Sequence, residues 1–293
     1  MRLFFIINSL YRRSKSDRLK LQYRFGSTHE YRLTESTGHA TDLARQAVDD
    51  GYTHIIAVGG DGTINEVVNG ILSSSVFDAS KPMFTFLPRG SGNDLARTLG
   101  YDESIGSLDQ RIQRSNGMAM DVGFARFDKS ARYFMNVMDL GLGGSVAREV
   151  QKYRRGPLSF LAYQRAIWKI LPFYTKRRIK VSSKEFNYAG KALSIVIANA
   201  RWFGAGLGIA PEAQINDGKL DVVIIGNVGV LEYLRYIPSL LQGRKIFHAD
   251  VHYIITEEIE INGELLCSEI DGEPSDEAPV TIAIATQKIC ILI

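Results

Sequence analysis

Residues 57 to 70 read Ala-Val-Gly-Gly-Asp-Gly-Thr-Ile-Asn-Glu-Val-Val-Asn-Gly, a run of types suited to holding phosphate. The apolar stretch from Thr53 to Val58 predicts a strand, and Ile64 to Leu72 repeats apolar residues at helical spacing. Gly59, Gly60 and Gly62 therefore fall where a strand passes into a helix. Glycine there permits positive φ and a close approach of backbone to ligand. The N–H groups of the helix start, reinforced by its dipole, suit a polyphosphate. Asp61 adds a carboxylate where a metal carried on the phosphates needs oxygen ligands. Thr63, Ile64 and Asn65 complete the cradle.

A second loop repeats the plan. Met83 to Leu87 predicts another buried strand, followed by Pro88-Arg89-Gly90-Ser91-Gly92-Asn93-Asp94 and a helix, with Asp94 placed like Asp61. The same residue types also make ordinary helix caps, and capping is compatible with phosphate contact. In an open parallel sheet, ligands bind at the carboxyl ends of the strands. Two such loops at neighbouring strand ends would share one crevice.

With these motifs in order, the chain resembles the diacylglycerol kinase and sphingosine kinase catalytic family, above all its bacterial soluble lipid kinases. The resemblance rests on Gly59-Gly60-Asp61-Gly62-Thr63 with Asn65-Glu66, and on Gly90-Ser91-Gly92-Asn93-Asp94. It extends through Asp121-Val122-Gly123, Asn199-Ala200-Arg201 with Phe203-Gly204-Ala205-Gly206, and Ala210-Pro211 with Asn216-Asp217-Gly218. It ends on Ile270-Asp271-Gly272-Glu273. NAD kinases and phosphofructokinases share a related Gly-Gly-Asp-Gly turn, so that turn alone does not choose among them.

The resemblance implies an ATP-dependent lipid kinase that carries the γ-phosphate to a lipid hydroxyl. It implies ATP contacts from Ser91, Thr34 and Asn8, and a catalytic Mg²⁺ held directly or through water by Asp61, Asp94 and Asp121. A second, structural Mg²⁺ would use the Asp217 side chain with the carbonyls of Gln214 and Lys219; a plain Asn-Asp-Gly turn needs no metal. Asp271 would be the general base, the part an aspartate plays in protein kinases, with Glu273 as its support or simply solvated. By itself Asp-Gly-Glu is a hairpin turn, and only its place in the ordered pattern promotes it. One stretch departs from the family. Its first strand usually runs into an Asn-Pro loop with a following glycine, whereas here Asn8-Ser9-Leu10-Tyr11-Arg12-Arg13 has neither proline nor glycine.

The elements that must position these residues fall into two textures. Strands at Leu3–Asn8, Ile55–Val58 and Met83–Leu87 alternate with helices near Gly38–Asp50, Ile64–Leu72 and Leu95–Leu99, which predicts a parallel α/β domain over residues 1–122. Residues 123–293 turn to short β-rich runs: Phe134–Met138, Arg178–Ser182, Leu193–Ala198, Leu220–Ile225, Val251–Ile255, Glu258–Ile261 and Val280–Ala285. They predict an antiparallel domain, and the resemblance implies a β-sandwich there, with the active site in the cleft between domains. The last strand is a candidate to return to the first domain. Between the β-runs, Pro157 to Phe173 reads as a helix apolar almost all round, which predicts core packing or, for a lipid kinase, an acyl-chain pocket.

At 293 residues the chain favours two domains, and 45% apolar residues excludes disorder. No apolar run reaches the length of a membrane span. The apolar start is followed by Arg12-Arg13, not by a small-residue cleavage site, so it predicts a buried strand rather than a signal peptide. Cys267 and Cys290 are too few for a disulfide framework, which fits a reducing cytoplasm. The histidines show no metal spacing.

The net charge of +3 is unevenly spread, in basic groups at Arg12–Arg24, Lys152–Arg155 and Lys176–Lys180. A solvated surface explains such groups; an anionic membrane, touched peripherally and transiently, is the partner they would suit. No recognised module points to nucleic acid. Oligomeric state is open, a homodimer included. Two further functions compete: a kinase with NAD as acceptor, and a catalytically silent nucleotide or lipid sensor.

Overall fold

The computed structural model describes residues 1–26, 28–152, 162–263 and 266–293. They divide into two compact units, Met1–Asp121 with Thr286–Ile293, and Val122–Ala285.

The sheet of the first unit contains β1 (Leu3–Ile7), β2 (Glu30–Leu33), β3 (His54–Gly59), β4 (Met83–Pro88), β5 (Gly117–Met120) and the final strand β18 (Ile289–Leu292). Its order is β2-β1-β3-β4-β18-β5, parallel except for β5. Every residue of β1 and β3 is buried, the pattern of a parallel strand covered on both faces. Leu3, Phe5 and Ile7 pack with Leu21 of α1 (Ser14–Phe25) and with Leu108 and Ile112 of α6 (Ile105–Arg114). The helices α2 (His39–Asp49) and α3 (Asp61–Leu72) pack on each other, while α4 (Phe77–Ser80) and α5 (Asp94–Leu99) are short.

The second unit holds two antiparallel sheets. One is ordered β10-β9-β14-β17-β6-β7, from β6 (Gly123–Phe127), β7 (Ala131–Phe134), β9 (Arg177–Ser182), β10 (Asn187–Ala192), β14 (Glu258–Gly263) and β17 (Val280–Ile284). The other is ordered β13-β12-β11-β8-β15-β16, from β8 (Val137–Gly141), β11 (Ser194–Ala198), β12 (Leu220–Ile225), β13 (Val251–Thr256), β15 (Ser268–Ile270) and β16 (Glu273–Ser275). Ala125, Phe134, Ile259 and Ile282 of the first sheet meet Leu140, Ile195, Val222 and Ile270 of the second in one core. The other face of the second sheet presents Val137, Val196 and Val223 to α7 (Leu142–Gln151), α8 (Ala162–Ile170) and α9 (Val230–Leu241). A parallel α/β unit and an antiparallel β-sandwich are the architecture predicted from the sequence.

The differences have local causes. The basic segment at Arg12–Arg24 is helical from Ser14 on, in α1, although only Ser14, Asp17 and Leu21 of that helix are buried, too few apolar residues to set a period. The run Phe134–Met138 is not one strand; it spans the turn from β7 to β8. Of the helix expected over Pro157–Phe173, residues 157–161 lie outside the described residues. The remainder is α8 with a 3₁₀ turn at Leu171–Phe173, burying Ala166 and Leu171 but exposing Trp168 and Phe173, so it is not apolar-packed all round.

Gly70 marks the closest packing of α3 on α2. A Cβ at Gly70 would collide with the Thr41 carbonyl and lie 2.7 Å from Ala44 Cβ. Alanine in a helix normally gains up to about 1 kcal/mol over glycine, whereas overpacking costs about 1–3 kcal/mol. Gly70→Ala is therefore expected to lower the thermal midpoint. A raised midpoint would mean that the two helices yield freely.

Candidate active site

Backbone hydrogen bonds carry the parallel ladder one residue beyond each strand. Thr34 N–H donates to Ile7 O, Asn8 N–H to Val58 O, and Arg89 N–H to Gly59 O at 2.7 Å. Thr34, Asn8, the Gly59–Thr63 loop and the Arg89–Asp94 loop thus stand side by side at the carboxyl edge of β2, β1, β3 and β4. Side chains join them further: Asn8 Nδ2 donates to Thr63 Oγ1 at 2.8 Å, and Ser9 N–H to Thr34 Oγ1 at 3.2 Å.

The glycines are required by contact. A Cβ on Gly59 would lie 2.5 Å from Thr63 Oγ1. A Cβ on Gly60 would lie 2.8 Å from Gly90 Cα, and one on Gly90 would lie 2.6 Å from Gly60 Cα. The two loops therefore touch backbone to backbone. The first α-helical bond at the start of α3 runs from Ile64 N–H to Gly60 O, so the N–H groups of Asp61, Gly62 and Thr63 have no acceptor within the helix. The Ile64 amide is already engaged, and Ile64 and Asn65 are buried. Ser91 is exposed on the second loop.

The acids divide. Asp61 and Asp94 are brought together: Asp61 accepts from the N–H groups of Asp94 at 3.4 Å and Leu95 at 3.3 Å, at the start of α5. Burial, and then the Asp94 carboxylate, push the Asp61 carboxyl up to about 6, against these backbone donors. Two crowded carboxylates are hard oxygen donors that a divalent cation would relieve, and Mg²⁺ commonly takes one or two protein carboxylates with substrate phosphates. The donor set fits that ion. Asp121 is fully buried and paired with Lys288 of the C-terminal segment at 2.7 Å. Among the described residues no cluster of three acids, histidines or cysteines is placed to hold a metal.

In the second unit, Asp217 is exposed and its Oδ1 accepts Lys219 N–H at 3.0 Å, closing its own turn beside the exposed Gln214. Burial, and then Asp217 and Glu212, push the neighbouring Asp221 up to about 6. Asp271 is buried at φ +48°, with Oδ2 accepting Met135 N–H and Oδ1 accepting those of Asn136 and Val137, at 2.9–3.0 Å. Its carboxylate organises the 135–137 loop. Glu273, at the start of β16, is partly exposed.

Of the basic groups, Arg12, Arg13 and Lys20 line a cleft of about 580 Å³ with Tyr11, Arg89 and Gly90. Arg89 itself is neutralised by Asp17 at 2.5 Å, and Lys152 by Glu149 at 2.7 Å. Arg154 and Arg155 lie outside the described residues. Sequence reasoning missed Lys288, whose pairing with Asp121 bridges more than half the chain and leaves no local signal. It also missed Glu66, which accepts from Gly38 and Ala40 N–H and caps α2. An acid in the first turn or two of one helix does not announce that it serves another.

Residues 3–125 match the diacylglycerol kinase catalytic domain, and residues 136–293 match the YegS C-terminal NAD kinase beta sandwich-like domain. The "Probable lipid kinase YegS-like" of Enterobacter sp. (strain 638) is 30% identical over 220 residues, 73% of this chain and 72% of that one. The diacylglycerol kinase of Bacillus subtilis (strain 168) is 28% identical over 250 residues, 84% of this chain and 78% of its own. In fold, a crystal structure of a diacylglycerol kinase from Bacillus anthracis str. Sterne aligns with a TM-score of 0.73 at 19% identity, over 99% of this chain and 96% of that one. The chain belongs to the diacylglycerol kinase and YegS-like lipid kinase family, and it is a kinase.

The raised Asp61 carboxyl has a stability consequence. Its folded pKa, about 6, lies above its ordinary value of 3.8, so the folded protein binds more protons than the unfolded chain between those pH values. Stability from this group accordingly falls as pH rises through that window. Without added metal, the thermal midpoint of Asp61→Asn minus that of the wild type should grow from pH 4 to pH 6 and then level off. A difference independent of pH would mean that Asp61 titrates normally.

Proposed function

We propose that the protein transfers the γ-phosphate of ATP to a lipid hydroxyl in a Mg²⁺-dependent reaction. The observation that carries this is the backbone contact of two glycine loops at adjacent strand ends, with Asp61 and Asp94 beside the start of a helix. The N–H groups of Asp61, Gly62 and Thr63 would receive phosphate oxygens, with Thr34, Asn8 and Ser91 along the same edge. Asp61 and Asp94 would hold Mg²⁺, which supplies charge neutralisation on the phosphates when bound. Asp121 keeps its charge matched by Lys288. The Asp217 turn closes through Lys219 N–H and needs no second ion.

The acceptor hydroxyl needs a base. The sequence singles out Asp271, but its oxygens already accept three backbone N–H bonds. That geometry favours dividing the two carboxylates of the turn, with Asp271 holding the loop and Glu273 accepting the proton. The relatives named diacylglycerol kinase make diacylglycerol the first acceptor to try. Sphingoid bases present a similar hydroxyl on an apolar body.

The test is labelled ATP with the purified protein and total lipid extract, the product identified by mass, with NAD as a control acceptor. Asp61→Ala should abolish turnover and chelation of Mg²⁺ should do the same. Glu273→Gln should cut turnover by about 10² to 10⁴ at unchanged thermal midpoint, while Asp271→Asn should lower both. A Glu273→Gln enzyme of normal rate, beside a stable but inactive Asp271→Asn, would return the role of base to Asp271. Phosphorylation of NAD and of no lipid would refute the lipid reading.

Among the described residues no helix is long and apolar enough to cross a membrane. We propose that the chain meets lipid peripherally, through exposed cations of α1 and of Lys176–Lys180. Activity on anionic vesicles should exceed that on neutral ones and fall with salt, as screening shortens to about 10 Å at 0.1 M. Activity on a short-chain soluble analogue should respond far less. Equal salt sensitivity for both would place the effect on ATP.

A further inference from the structure

Two acids lie buried under the helices of the second unit. Glu269 of β15 is the cross-strand partner of Asp139 of β8, so both carboxyls project from one face of the sheet. Alternation along β8 puts Asp139 on the side of Val137, the side covered by α7, α8 and α9. Asp139 is 2% exposed and Glu269 is 6% exposed. The Ser194 hydroxyl lies 2.7 Å from both Asp139 oxygens. Among the described residues neither acid forms an ion pair. The charged groups that act on Glu269 are Asp139, Asp271 and Glu273, all acidic. Tyr174 and Tyr233 face Asp139 from the helical side.

In this company burial, and then the Asp139 carboxylate, push the Glu269 carboxyl well above the usual carboxylate range. It still has one firm task. Its Oε2 accepts the Gly272 N–H at 2.6 Å. Gly272 has φ +83° and Asp271 has φ +48°, so two successive left-handed residues join β15 to β16. Both central residues of a type I′ hairpin turn need that conformation, and a non-glycine residue there is held against a steric cost. The turn sends the Asp271 carboxylate into the amides of 135–137 and begins β16 at Glu273.

We propose that Glu269 is a positioning residue for the reaction: by accepting the Gly272 N–H it fixes the Asp271-Gly272 turn, and so aims the carboxylates of Asp271 and Glu273. The proposal rests on the lipid-kinase reading given above. Its chemistry requires only an acceptor on Glu269 for the Gly272 N–H, which separates it from an electrostatic role. A glutamine keeps the acceptor and stays neutral; an alanine removes it and leaves the amide unsatisfied.

Steady-state kinetics and Gly272 amide exchange by NMR test it on the full chain. Glu269→Gln should keep kcat within about threefold and retain the protection of Gly272. Glu269→Ala should lose about tenfold or more in kcat, keep KM for ATP within about twofold, and expose the Gly272 amide to exchange. Loss of protection without loss of kcat overturns the positioning role alone. A Glu269→Gln variant as slow as Glu269→Ala overturns it too, because charge and not the acceptor would then matter. Should Glu269→Ala fail to fold, Glu269→Gln decides: a near-normal kcat with Gly272 protected sustains the role, and a tenfold loss ends it. A wild type inactive on every lipid, with Gly272 protected, overturns instead the reading on which the role depends.

Discussion

The contact between Gly60 and Gly90 is the constraint on which the first unit's candidate site depends. Adjacent parallel strands lie about 4.8 Å apart, and β3 runs beside β4 up to the pair Gly59 and Pro88. Beyond that pair the ladder gives way to loops, and loops with side chains would splay. Two glycines instead let Cα approach Cα. The consequence is chemical: with the loops in contact, Asp61 at the start of α3 reaches the amides at the start of α5. The crowding of Asp61 with Asp94, which adds to burial in raising the Asp61 carboxyl, follows from two missing Cβ atoms.

The second unit meets the same problem, acids in an apolar setting, by another route. One face of its central sheet packs against a second sheet in a shared hydrophobic core. The acids Asp139 and Glu269 project from the face closed by helices. There a hydroxyl and main-chain amides stand in for the cation that Lys288 supplies to Asp121. A buried carboxyl without a cation is tolerable only when it is protonated or richly hydrogen-bonded. Asp271 takes the second course, with three main-chain donors.

What could be read from the sequence was what is local. A strand, a glycine loop and a helix within twenty residues announce themselves, and both phosphate-side loops do so. Leu220–Ile225, apolar but for Asp221, was legible to the residue. The α1 helix was not, because its exposed face outweighs the few residues it buries. Of β18 only the return of a last strand to the first domain was anticipated; its place between β4 and β5 had no local signal, since it is four residues long and those partners lie far back in the chain. Asp139 carried a signal that went unused, an acid inside the apolar run Val137–Gly141. Such a residue demands a partner, but the sequence does not say which.

The loop after β1 is where this chain leaves its family's pattern, and local hydrogen bonding accounts for the departure. Proline fixes φ and glycine opens positive φ; together they let a chain turn tightly. Here Asn8 makes the turn by other means. Its Oδ1 accepts Leu10 N–H at 2.9 Å, the Asx turn that asparagine favours, while its Nδ2 donates to Thr63. Ser14 then closes the loop by donating its hydroxyl to Ser9 O at 3.2 Å. The asparagine retained from the pattern thus does two jobs, turning the chain and tying β1 to α3. With the turn secured by a side chain, the next positions no longer need proline or glycine. They are free to hold Tyr11, Arg12 and Arg13, which give the edge beside Gly90 its basic wall.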